Sequence, residues 1–196
     1  MCSSLHLSCA DDATDSLDFG RGFFLAATHI AAAARDLHVY VIYGQGGRLM
    51  SRGMESLAQS LRKMDPRVEV STYHWDRYKD VAKKIRELPP DAPVAVIGYS
   101  LGANAATWIA NAVRSRTIDL IVAYDPTKWS EVQAIGGNVK RVLLYHNNGP
   151  DPFGHARING RQVETVETRN SHLSIDDSSW LHDKTRAAIA ELLGQL

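Results

Sequence analysis

The sequence predicts an α/β protein, a single-domain three-layer sandwich in which a mainly parallel sheet of about six strands carries helices on both faces. Two observations predict it. From Asp36 onward, strand-like apolar runs alternate with segments of helical periodicity, the pattern of strands joined by crossover helices. Within that alternation, Val94 to Ala106 (VAVIGYSLGANAA) passes from an apolar run through Gly98-Tyr99-Ser100-Leu101-Gly102 straight into a helical pattern. A serine at so sharp a strand-to-helix turn sits in strained backbone with its hydroxyl pushed outward, and the flanking glycines let strand and helix pack closely around it.

The elements follow in order. His38 to Tyr43 (HVYVIY), rich in β-branched and aromatic residues, reads as a buried strand. Gly44-Gln45-Gly46-Gly47 makes a flexible turn, and Ser51 to Met64 carries Met54, Leu57, Leu61 and Met64 at helical spacing. The unit repeats: Val68 to Tyr73 alternates as a strand, Asp76 opens a basic amphipathic helix through Leu88, and Pro89-Pro90-Asp91 breaks it. The Val94 strand and a helix over Leu101 to Arg116 come next. Then follow a strand over Ile118 to Tyr124, a loop, a strand over Lys140 to Tyr145, a more polar strand over Gln162 to Thr168, and a terminal helix over Ser179 to Leu193. Residues 37–196 read as one domain, since no linker, low-complexity tract or repeat divides them, and residues 1–36 read as a leader.

At 196 residues and 44% hydrophobic content, the chain is long and apolar enough for one domain with a real core. Its 22 basic and 22 acidic residues cancel, so no global field gathers nucleic acid or an anionic membrane. Both cysteines, Cys2 and Cys9, lie in the polar start of the leader and set no fold. The stretch Leu7-Ser8-Cys9 has neither the basic nor the long apolar segment that lipidation needs.

Two readings stand for Gly20 to Arg35 (GRGFFLAATHIAAAAR). Arg21, an apolar run and the small residues Ala31 to Ala34 suit an export signal. A late start, the preceding Asp11, Asp12, Asp15 and Asp18, and His29 within the run suit an alanine-rich helix packed on the domain. The first reading makes the protein exported or periplasmic, the second cytoplasmic, and the run is too short for a stable membrane span.

Serine is a weak nucleophile at neutral pH, so a working Ser100 requires a histidine base and a carboxylate to orient it. The sequence supplies both, in order. His172, in Asn170-Ser171-His172-Leu173, lies between the last strand and the last helix, where a loop can carry imidazole over the sheet edge; His155 and His182 are the substitutes. Two carboxylates compete for the third role: Asp125, ending IVAYDPT, and Asp151, in NNGPDPFG. Both fall at carboxyl ends of strands, where chemistry gathers in open α/β sheets. For a tetrahedral oxyanion the amide of Leu101 supplies one donor, and an amide of the glycine loop, Gln45 or Gly46, the other. This chemistry requires no cofactor and no metal.

These residues carry a resemblance. From His38 to the end the chain resembles a compact α/β-hydrolase of the lipase, esterase and thioesterase kind. More narrowly, YVIYGQGGRLMSRGMESLAQSLR, VIGYSLGANAA, VAYDPT, NVKRVLLYHNN and SHLSID resemble, in order, a group of small bacterial hydrolase-like proteins. The resemblance implies that the orienting carboxylate follows the strand after the Ser100 helix, which favours Asp125, and that members commonly begin with an exported leader. Gln45, Tyr99 and Asn104 depart from that group, where a more apolar residue, His and Asp are usual.

Other features receive plainer readings. The glycine loop does not make a dinucleotide cradle, because Leu49 stands where the fingerprint needs glycine and no Walker lysine is present. Tyr73, His74 and Trp75 are either pocket lining or packed strand-end aromatics. Lys79, Lys83, Lys84 and Arg86 read as a solvated helix face, and Asp176 and Asp177 as the start of the last helix. The expected function is a serine hydrolase of small or single-chain esters or thioesters, with a small-molecule acyl substrate as its partner and no preference of oligomeric state. The alternative of another class is a catalytically silent binding or partner-regulated module on the same sheet.

Overall fold

The computed structural model describes residues 35–196. Both cysteines and the leader, whether export signal or alanine-rich helix, fall outside the described residues. Six strands, β1 (Leu37–Tyr43), β2 (Val68–His74), β3 (Val94–Tyr99), β4 (Ile118–Tyr124), β5 (Val139–Asn147) and β6 (Val163–Thr168), pair in the order β2-β1-β3-β4-β5-β6. Every pairing is parallel.

Alternate residues of each strand serve opposite faces. Val39, Val41, Ile97 and Val122 join a core with Met54, Leu57 and Leu61 of α1 (Arg52–Arg62) and Leu181 and Ile189 of α4 (Ser179–Leu193). On the other face Tyr40, Ile42, Val96 and Ile121 join Val81 and Ile85 of α2 (Tyr78–Glu87) and Ala106 and Ile109 of α3 (Leu101–Ala112). The β4–β5 and β5–β6 connections contain no helix; Val132, Ile135 and Ile158 cover the sheet there instead.

The chain runs from β1 outward to β2, returns past β1 to β3, and continues in the opposite direction. Strand order therefore reverses between β1 and β3, and their carboxyl ends open onto the crevice where α/β sheets bind ligands. Gly44 follows one of these strands and Ser100 the other.

Of the boundaries that differ from the sequence expectation, three illustrate local effects. Helix α3 stops at Ala112 instead of Arg116, because Asn138 Nδ2 donates to the carbonyls of Ala110, Val113 and Arg116 at 2.9, 3.4 and 3.3 Å and supplies what another helical turn would have supplied. Asp76 lies in a 3₁₀ turn before α2 and accepts from His74 Nδ1 at 2.8 Å. Strand β5 continues past Tyr145 through His146 and Asn147, polar residues whose ladder with Glu167 and Thr168 is intact.

Candidate active site

The residue that follows β3 sits in a backbone that only a crowded turn enforces. Ser100 has φ 55° and ψ −125°, outside the ordinary regions for a side-chain-bearing residue. The glycines around it are steric necessities. A Cβ on Gly98 would lie 2.2 Å from the Gly102 carbonyl oxygen, and one on Gly102 would lie 2.2 Å from that of Ile42. The Ser100 N–H donates to the Tyr124 carbonyl at 3.0 Å, which ties the turn to the tip of β4.

One residue beyond that tip, Asp125 is fully buried and also has a positive φ, 41°. The structure brings it together with His172 and Ser100. His172 Nε2 lies 2.9 Å from Ser100 Oγ, and His172 Nδ1 lies 2.8 Å from Asp125 Oδ2. Ser100 and His172 are only 8% and 3% exposed, so the chain of hydrogen bonds runs largely out of water. The other Asp125 oxygen accepts the N–H groups of Asn147 (3.4 Å) and His155 (3.3 Å). Gly154 makes room for the carboxylate, since a Cβ there would lie 1.9 Å from Asp125 Oδ2.

Asp151 serves the same histidine differently. Its Oδ2 accepts the backbone N–H of His172 at 2.7 Å and its Oδ1 that of Phe153 at 2.9 Å. Burial raises its pKa, but these amides outweigh burial and hold the carboxyl below its usual range. Neither substitute histidine has its ring bonded to Ser100. His155 Nδ1 donates to the Asn147 carbonyl at 2.9 Å, and His182 Nε2 to that of Asp176 at 2.6 Å.

Behind Asp125, His146 Nδ1 lies 3.8 Å from Asp125 Oδ1, buried and with no hydrogen-bond partner. Burial lowers the pKa of His146 and favours its neutral form. Read from the sequence, β5 ends at Tyr145, and neither His146 nor Asn147 has a role.

The two candidate sources of oxyanion donors flank the serine. Leu101 opens α3, so its N–H has no partner within the helix. The glycine loop folds back in a turn closed by Gly47 N–H to Gly44 C=O (3.2 Å), which engages the amide of neither Gln45 nor Gly46. Gly46 is left-handed (φ 77°), and Ser51 Oγ accepts the Gly44 N–H at 3.3 Å. A Cβ on Gly44 would stand 2.9 Å from Ser100 Cβ, so only glycine lets this loop come so close to Ser100.

A cleft of about 490 Å³ opens over Ser100, lined chiefly by Met50, Leu101, Trp129, Phe153 and Leu173. Tyr73 and His74 line a different cleft with Arg77 and Asp80, and Trp75 packs edge-on against Trp108 with centroids 6.3 Å apart. Of the two readings open for these aromatics, Trp75 is packed, whereas Tyr73 and His74 line a cleft other than the one over Ser100. The reading of Asp176 and Asp177 as the start of the last helix is corrected: they form a 3₁₀ turn with Ile175, and α4 begins at Ser179. Lys79, Lys83, Lys84 and Arg86 are exposed. Among the described residues, no group of three or more His, Cys, Asp or Glu side chains is arranged to hold a metal, and no helix is long and apolar enough to cross a membrane.

No protein-family model matches the chain, and no curated protein matches it in sequence. Among solved structures it is similar to ClbQ of the colibactin NRPS/PKS pathway, with 10% identity, a TM-score of 0.59, and coverage of 80% of this chain and 98% of that one. It is similar to a lidless α/β serine hydrolase of Xanthomonas campestris, with 16% identity, a TM-score of 0.57, and coverage of 79% and 82%. A further match is a protein of Xanthomonas campestris pv. campestris assigned to the α/β hydrolase superfamily, with 16% identity, a TM-score of 0.54, and coverage of 81% and 99%. At these identities the likeness is one of fold, and the chain is α/β-hydrolase-like.

Proposed function

We propose that this α/β-hydrolase-like chain is a serine hydrolase of carboxylic esters or thioesters, acting through an acyl-enzyme on Ser100. The observation that carries the reading is the linear arrangement Ser100 Oγ, His172 Nε2, His172 Nδ1, Asp125 Oδ2, closed by contacts of 2.9 and 2.8 Å. Both distances lie within the reach that general-base activation of a serine requires.

In this reading Asp125 accepts a hydrogen bond from Nδ1–H and so fixes the tautomer in which Nε2 is unprotonated and faces Ser100. Nε2 takes the hydroxyl proton as Oγ bonds to the acyl carbon, and the carbonyl π pair moves onto oxygen. The N–H groups of Leu101 and of Gln45 or Gly46 stabilise that oxyanion. As the tetrahedral species collapses, the bond to the leaving oxygen or sulfur breaks, and Nε2–H protonates the leaving group. Water, deprotonated by Nε2, then adds to the acyl carbon; the bond from that carbon to Oγ breaks, the carboxylic acid leaves, and Nε2–H returns the proton to Ser100 Oγ. The fold likeness to the thioesterase domain that cyclises surfactin, with 14% identity and a TM-score of 0.51, favours including thioesters in the substrate class.

The test is covalent labelling by a fluorophosphonate probe with peptide mapping. Labelling at Ser100 in the wild type, lost in Ser100→Ala and His172→Ala, supports the reading. A folded wild type that stays unlabelled at Ser100 overturns it in favour of a silent scaffold.

A further inference from the structure

We propose that the acyl group this site accepts is an apolar chain of several carbons, laid against a rigid wall of Trp129 and Phe153 that helix α3 holds at a fixed place beside Ser100. The proposal rests on the hydrolase reading above and names the acyl class and the residues that select it.

Five large apolar side chains are markedly exposed among the described residues, and three of them, Met50 (59%), Trp129 (67%) and Leu173 (58%), line the cleft over Ser100; Leu49 adjoins Met50 in sequence. An apolar patch concentrated at one mouth marks a binding surface, whereas scattered exposed hydrophobics do not. The Trp129 ring meets Phe153 edge-to-face at 5.1 Å, and Phe153 stacks over the His172 ring at 6.1 Å. The wall thus continues from solvent to the imidazole.

Trp129 belongs to the helix-free β4–β5 connection, yet that connection is fastened along one face of α3. Asn104, fully buried, donates through Nδ2 to the carbonyls of Thr127 (2.9 Å) and Ser130 (2.8 Å) and accepts the Thr127 N–H at 3.0 Å. One turn on, Thr107 Oγ1 accepts the Gln133 N–H at 3.0 Å. Trp108 Nε1 donates to the Glu131 carbonyl at 2.9 Å, and Asn111 Nδ2 to that of Ala134 at 2.9 Å. Positions 104, 107, 108 and 111 share one helical face. Thr127 Oγ1 then donates to the Phe153 carbonyl at 2.6 Å and accepts the Trp129 N–H at 3.3 Å, which ties the backbones of the two aromatic residues together.

Because α3 begins at the residue after Ser100, the helix that follows the nucleophile is also the one that fastens the connection carrying Trp129. An apolar surface ordered in advance binds without a further ordering cost. Met50 and Leu173 also line the cleft, whose volume of about 490 Å³ is within the range that small ligands fill. Asn104 is the positioning residue, since an aspartate there has no donor for the Thr127 and Ser130 carbonyls.

The experiment compares hydrolysis of p-nitrophenyl esters from acetate to decanoate, each below its micelle concentration, by the full chain and by Trp129→Ala and Asn104→Asp. In the wild type kcat/KM rises about fourfold per added CH₂ until the chain outgrows the cleft. Trp129→Ala lowers the octanoate-to-acetate ratio of kcat/KM about tenfold, chiefly through KM. Asn104→Asp moves the same ratio in the same direction. Trp129 is exposed, so its replacement stays informative where a buried Asn104→Asp fails to fold. A flat wild-type series, or a ratio unmoved by Trp129→Ala, overturns the wall while fluorophosphonate labelling at Ser100 leaves the hydrolase reading standing. Absence of both turnover and labelling overturns the two together.

Discussion

The hydroxyl of Tyr99 donates to the backbone carbonyl of His172 at 2.8 Å, and the two rings lie 5.4 Å apart. Tyr99 is the residue before Ser100, so the strand that presents the serine also fastens the loop that brings the imidazole to it. Asp151 takes the N–H of the same residue, so both backbone polar groups of His172 are fixed while its ring spans Ser100 and Asp125. Such a supporting layer around a reacting group is what keeps its geometry productive.

Removing that tether has a specific cost. Burial raises the Tyr99 pKa, so the phenol remains a donor across the working pH range. Tyr99→Phe leaves the His172 carbonyl without it and is expected to destabilise the fold by about 1–3 kcal/mol. Labelling of Ser100 should slow by about three- to tenfold as the loop loosens. Unchanged thermal unfolding together with unchanged labelling kinetics would show that the contact positions nothing.

The two aspartates separate by magnitude. Asp125→Asn removes the acceptor that sets the imidazole tautomer and is expected to cost about 10³–10⁴ in kcat. Asp151→Asn keeps one acceptor oxygen for the two amides it serves, so the loss should be about tenfold or less and accompanied by lower stability. Equal losses in single-turnover acylation would contradict the division of labour.

Much of this was legible in the chain, and the reason is periodicity. The alternation of strand and helix from His38 onward and the glycine-flanked Ser100 turn are local signals, and the sheet and its switch point follow from them. Position alone leaves Asp125 and Asp151 in competition, because both follow strands, and it is the resemblance that favours Asp125; in the structure Asp125 meets the ring of His172 and Asp151 its backbone. Tyr99 and Asn104 entered as departures from a family pattern, and the structure gives each a buried hydrogen-bonding task. Trp129 and Phe153 carried no signal, since a loop that packs by hydrogen bonds to a helix face has no hydrophobic period to read.

Strain at Ser100 makes a prediction of opposite sign to most substitutions. With φ 55° and ψ −125°, the residue sits where glycine alone is comfortable, at a cost of about 1–3 kcal/mol for any side chain. Ser100→Gly and Ser100→Ala both lose the contact to His172, but only glycine relieves the backbone. After its greater unfolded-state entropy is subtracted, Ser100→Gly should exceed Ser100→Ala in stability by about 1 kcal/mol. Denaturant midpoints for the pair decide it, and an alanine variant at least as stable would mean the turn is not strained.

Just beyond His172, Asp176 is 2% exposed, and its Oδ2 accepts the Gly53 N–H at 3.2 Å, docking the end of the histidine loop on the first turn of α1. A Cβ on Gly53 would stand 1.9 Å from the Asp176 carbonyl oxygen, so this contact has no slack. Burial, reinforced by the charge of Asp177, raises the Asp176 pKa to about 7 against the opposing amides of Gly53 and Met54. The folded carboxyl therefore keeps its proton over a range where the unfolded one has lost it. Its contribution to stability is present at low pH and lost as pH rises toward 7, at up to about 1.4 kcal/mol per pH unit. His182, bonded to the Asp176 carbonyl and lowered in pKa by burial, works in the opposite sense by losing stability on acidification, so the informative quantity is the difference between two proteins. Asp176→Asn keeps an acceptor for Gly53 and cannot ionise. Chemical unfolding from about pH 5 to about pH 8 should show the variant gaining on the wild type by about 3 kcal/mol, with the His172 loop better ordered at the alkaline end. Parallel stability curves for the two would mean that Asp176 does not titrate in this range.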